Sequence, residues 1–163
     1  MKIITTILAF CLCLPMTWAC RKQRVEGEIQ GYEYARHGMR ADPEEYYKLE
    51  RNAEGTLILK YTHYERILKV IKAPDDALEK IDGYVRSAKM WNIKEMYPNP
   101  PYVRDGHMWN LKITYEQGSI YSSGSNNKPS AKIQGAIDAI HAYLHGLTDN
   151  VTEADIIEYV PYE

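Results

Sequence analysis

Between Asp105 and Leu147 the hydrophobic pattern changes once, from a period of two to one of about 3.6, and this change limits the fold more than any other feature. Trp109, Leu111, Ile113 and Tyr115 alternate with Met108, Asn110, Lys112 and Thr114, so one face of a strand is apolar. Glu116-Gln117-Gly118 supplies a short turn, and Ser119 to Ser123 returns antiparallel as a hairpin. Pro129 ends the sheet pattern, and Ser130 is placed to cap a helix. Ile133, Ile137, Ile140, Leu144 and Leu147 then recur at three and four, a stripe that must be buried, and Gly146 reads as the stop signal.

The earlier half follows the same logic. Strands are expected over Ile29 to Arg36, Tyr46 to Arg51, Thr56 to Tyr64 and Glu65 to Lys72, with Asn52 to Gly55 as a hairpin loop and Asp42-Pro43 as a turn. Pro74 and Asp75-Asp76 announce a helix carrying Leu78, Ile81, Val85 and Ala88 on its buried side, and Asp76 with Glu79 has capping-box spacing. Gly83 interrupts that helix, which implies close approach of a neighbouring element. Asn92 to Arg104 holds three prolines and reads as an irregular crossing. Strands joined by short turns with two helices give an α+β fold, an antiparallel sheet of about five or six strands with both helices packed on one face.

The amino terminus is organised differently. Lys2 precedes an apolar run from Ile3 to Met16, and Thr17-Trp18-Ala19 leads into Cys20. This run is shorter than the ~20 residues of a membrane-spanning helix and reads as an export signal over residues 1–19. Lipoprotein processing and ordinary signal cleavage both leave Cys20 first. Cys11 and Cys13 depart with the leader, so the mature chain has a single cysteine and no internal disulfide, and lipidation of Cys20 accounts for it. Residues 20–28 then read as a lipidated polar linker, 29–147 as one domain and 148–163 as an acidic tail whose Ile156 to Val160 cluster either docks at a sheet edge or frays.

Losing Lys2 takes the formal charge from −2 to −3, which offers nothing to nucleic acid. Arg21, Lys22 and Arg24 would either sit beside lipid headgroups or form a solvated tether. Arg36-His37-Gly38-Met39, the Asn52 to Gly55 turn, Asp105-Gly106 before Trp109, and Gly124-Ser125-Asn126 before Pro129 give the chain a pattern that resembles a group of small bacterial lipoproteins and secreted domains. The resemblance spans residues 29 to 147. It implies an extracytoplasmic domain, in the cell envelope and facing the periplasm or the surface, with no assigned activity and no catalytic residues to carry over.

Chemical signals are sparse. His141 and His145 stand four apart with Asp138 a turn earlier, but the glutamate of a zinc-protease helix is missing, so the spacing favours a solvated polar face and no metal or other cofactor is assigned. No Gly-x-Ser-x-Gly elbow or phosphate loop occurs. Asp105, His107 and Glu95 form a loose acid/base set for a small hydrolase, although Asp105-Gly106 is more simply a turn. Trp91, Tyr97 and Tyr102 with Ser123, Asn126 and Asn127 form a candidate platform that would stack against and hydrogen-bond a sugar or peptide, unless the tryptophan fills core. The sequence reading is therefore a non-catalytic, membrane-tethered binding or accessory domain with a protein or glycan partner. The alternatives are a small hydrolase and a secreted inhibitor presenting Met96 to Arg104.

Overall fold

The computed structural model describes residues 23–38, 42–103 and 106–162, and the leader, Cys20 and Asp105 lie outside them. Four strands come first: β1 (Glu26–His37), β2 (Pro43–Arg51), β3 (Leu57–Thr62) and β4 (Ile67–Lys72). Helix α1 (Ala77–Ala88) and a 3-10 turn at Met90–Asn92 lead to β5 (Met96–Tyr97). The hairpin β6 (Met108–Gln117) and β7 (Ser119–Ser125), helix α2 (Ala131–Thr148) and β8 (Ile156–Pro161) complete the chain.

The class is α+β, as expected, but the sheet is larger and mixed. Eight strands run in the order β5-β7-β6-β1-β2-β3-β4-β8. Every neighbouring pair is antiparallel except β5 with β7, which is parallel, with Met96 opposite Ser123 and Tyr97 opposite Gly124. The expectation of five or six antiparallel strands fails at the two edges. β5 is only two residues long and sits among prolines, and β8 lies in the acidic tail, so neither carries enough alternation to stand out. The tail docks: Leu68 pairs with Val160 and Lys69 with Tyr159.

Register explains the core. Tyr34 lies between Tyr47 on β2 and Leu111 on β6, and Tyr32 between Leu49 and Ile113, so one face presents a continuous apolar row. Ile81 and Val85 from α1 and Ile133, Ile137, Ile140 and Leu144 from α2 join that row in one cluster, with both helices on the same face. The opposite face buries a small cluster of Ala35, Tyr46 and Leu68 and, on β3 and β4, Ile58, Thr62 and Val70, and Lys48 and Lys60 both reach Glu50 at 3.0 Å there.

Several local expectations are corrected. β1 starts at Glu26, inside the expected linker. Neither Asp76 nor Ser130 makes a side-chain cap, and Asp76 pairs instead with Lys80 at 2.9 Å. Gly146 does not stop α2, which runs on to Thr148. A Cβ built on Gly83 would meet nothing within 4 Å, so that glycine makes room for no neighbour.

Candidate functional site

A cleft of about 380 Å³ opens where the last residues of β1, the first of β6 and the segment after β7 meet the amino-terminal half of α2. Its floor is aromatic. Tyr34 and Trp109 both point to the helix side of the sheet and are largely buried. Trp109 reaches its position because β7 offers a bare backbone beneath it, a Cβ on Gly124 falling only 2.5 Å from the indole nitrogen. Tyr97 covers the indole from the sheet edge at 5.8 Å between ring centroids.

The indole N–H donates to the Asn127 carbonyl at 2.9 Å, and this bond holds the turn that forms one wall. Asn126, at φ 51, accepts from the His107 amide at 3.0 Å and donates to Asn99 at 2.8 Å. Asn127 donates its side-chain amide to the Pro98 carbonyl at 3.2 Å. Two consecutive asparagines thus tie the loop after β5 to the mouth of the cleft. The side-chain amide of Gln134, which donates to Asp138 at 2.7 Å, forms the helix wall, and Lys128 lies between the two walls.

Charge enters from the end of β1. Arg36 stands 3.6 Å from Glu44 and 3.7 Å from Glu45, and its buried Nε makes no hydrogen bond. His107 Nδ1 lies 2.9 Å from Glu44 on the cleft rim. Arg36, His107 and Lys128 therefore line the same space as Asp138, together with amides and two rings, a donor and acceptor set suited to hydroxyl, carboxylate or peptide groups.

The expected platform assembles only in part. Tyr97, Asn126 and Asn127 meet around Trp109. Ser123 lies next to them on β7, donating its amide to the Glu95 carbonyl at 3.0 Å as part of the β5 pairing. Tyr102 is fully exposed on the loop beyond, with φ 75. Trp91 belongs elsewhere: it lines a separate recess with Gln23, Val25 and Tyr115. Pattern reading passed over Tyr34, Arg36, Lys128 and Gln134 because they come from β1 and from α2 with the segment before it, about 100 residues apart, and only the topology brings them together.

Of the acid/base residues, Asp105 lies outside the described residues and His107 lies on the cleft rim. His145 pairs with Asp149 at 2.6 Å. The expectation of a solvated face fails for His141, which lies against the sheet with its ring 4.2 Å from that of Tyr34. Glu95 contributes its carbonyl to β7. Among the described residues no three His, Cys, Asp or Glu side chains converge as a metal site would require, and no helix is long and apolar enough to cross a membrane. No protein-family model matches the chain, and no curated protein matches it.

Proposed function

We propose that this chain is a lipid-tethered, non-catalytic binding module of the bacterial cell envelope, held to the membrane through Cys20, whose glycan or protein partner enters the cleft beside Trp109. The observation that carries the reading is the convergence of Arg36, Asn127, Gln134 and Asp138 on one aromatic-floored space. Such a site orients a polar chain by hydrogen bonds and leaves its bonds intact. Soluble cell-wall glycan fragments and envelope peptides, titrated into isotopically labelled protein, should shift the amide signals of Asn127, Lys128 and Gln134, and Gln134→Ala should weaken that response. Unchanged spectra with both ligand classes, together with an envelope pull-down that recovers no partner, would overturn the reading.

A second reading is favoured by the loop after β5. Tyr102 and Val103 are exposed there, and Met96 is exposed on β5 itself, as a secreted inhibitor would present them to another protein. Tyr102→Ala separates the two: it should abolish capture of a protein partner through the loop and leave ligand-induced shifts in the cleft intact.

A further inference from the structure

The chain is fixed to the body of the domain from Gln23 onward, only three residues after Cys20. The Gln23 amide donates to the Trp91 carbonyl at 3.1 Å, and its side chain donates to the Ile93 and Tyr121 carbonyls at 3.2 and 2.9 Å. In return the Tyr121 amide donates to Gln23 Oε1 at 2.6 Å. Gln23 thereby occupies the edge of β7 beyond the end of β5, as a one-residue strand would.

Three residues span at most ~10 Å, about one Debye length in physiological salt. A lipid on Cys20 would therefore bring this edge into the headgroup field. The surroundings of Gln23 have the right chemistry: Trp91 and the exposed Tyr121 supply aromatic edges, and Lys89 and Lys94 flank the turn that receives Gln23. Arg24 is exposed beside them, and Lys112 lies opposite Tyr121 on β6. Arg21 and Lys22 precede them in the sequence. Glu26, Glu28, Glu95 and Glu116 lie in the same region, and Glu33 stands opposite Lys112 on β1.

Resting on the tethered reading above, we infer that the β7 edge with the Trp91 turn is a membrane-facing surface that docks on anionic lipid headgroups. Asn126 and Asn127 follow the far end of β7, about 17 Å along the strand from Tyr121 at ~3.3 Å per residue, so the cleft lies at the other end of the same sheet edge.

The test uses the full chain expressed with its leader and purified from membranes. In the mature protein the sulfur of an acylated Cys20 is blocked, so a cysteine introduced elsewhere carries the only free thiol. A fluorophore would be attached in Tyr121→Cys and, separately, in Ile157→Cys on β8, six strand spacings or ~29 Å across the sheet. Both proteins go into phosphatidylethanolamine and phosphatidylglycerol vesicles bearing a headgroup quencher. Quenching should be several-fold stronger at position 121 than at 157, and high salt should reduce the difference; Lys94→Cys gives a second membrane-side reading. An intact mass with the acyl group but equal quenching at both edges overturns the orientation alone. A mass without the acyl group overturns the tether and the orientation together.

Discussion

His141 on α2 and Tyr32 on β1 share a hydrogen bond of 3.0 Å across the interface between helix and sheet, in a site where Tyr32 is almost completely buried. Tyr34 and Tyr47 surround the same imidazole. Burial lowers the His141 pKa, aided by Arg36 and opposed by Glu45 and Asp138. Burial also lowers that of His63, which faces Tyr47, with Lys69 and His145 aiding and Glu45 and Asp149 opposing.

A histidine whose pKa is lower folded than unfolded binds more protons in the unfolded chain, so its contribution to stability is present above the unfolded value near 6.5 and is lost as pH falls from there through the lower folded value. The urea midpoint should therefore fall between about pH 7.5 and about pH 5, a window above the titration of ordinary carboxylates. His141→Phe should flatten the slope while costing about 1 kcal/mol at neutral pH through the unpaired Tyr32 hydroxyl. An unchanged slope in the variant would remove this account.

Gly83 on α1 gives a prediction of the opposite sign. It lies in regular helix, is exposed, and would accept a methyl group without contact. Gly83→Ala should stabilise the domain by about 0.4–1 kcal/mol, because alanine has less backbone freedom to lose on folding. Chemical denaturation of the two proteins checks it; a lower midpoint in the variant would mean that the helix surface is occupied.

Tyr115 on β6 donates to Asp82 on α1 at 2.6 Å, and Arg86 holds the other carboxylate oxygen at 2.5 Å. This bond fastens the first helix to a strand on the far side of β1. Burial and the neighbouring carboxylate raise the Tyr115 pKa, so the hydroxyl stays protonated as a donor. Asp82→Ala leaves that partly buried donor without its acceptor and should cost about 1–3 kcal/mol. Tyr115→Phe leaves Asp82 paired with Arg86 and should cost less. Equal losses in urea melts would mean that the hydrogen bond contributes nothing beyond packing.

The central hairpin and both helices were legible because their burial is periodic. Trp109, Leu111, Ile113 and Tyr115 all reach the core, as do Ile133, Ile137, Ile140 and Leu144. The edges were not legible, because a strand such as Met96–Tyr97 is defined by a neighbour far away in sequence. His141 misled for a related reason: a polar residue beside an apolar stripe looks solvated until Tyr32 supplies a partner across the interface. At the site, Asn126 and Asn127 were recognisable as amides at a turn. Arg36 and Gln134 look like ordinary surface residues until β1 and α2 meet.

Gly124 tests whether the cleft depends on how its floor is built. A methyl group there would collide with the six-membered ring and the nitrogen of Trp109 at 2.5–2.7 Å. The indole is rigid and hydrogen-bonded to Asn127, so it must tilt, and the Asn127 turn must tilt with it. Gly124→Ala should therefore destabilise the domain by about 1–3 kcal/mol, the usual cost of forcing extra volume into a packed site. It should also disturb the amide signals of Asn127 and Lys128 while sparing those of β8, the most distant strand in the sheet. Trp109→Phe in the same background should recover part of the stability, because the smaller ring clears the methyl group. A Gly124→Ala protein with unchanged stability and an undisturbed Asn127 signal would show that the indole does not set the shape of the cleft.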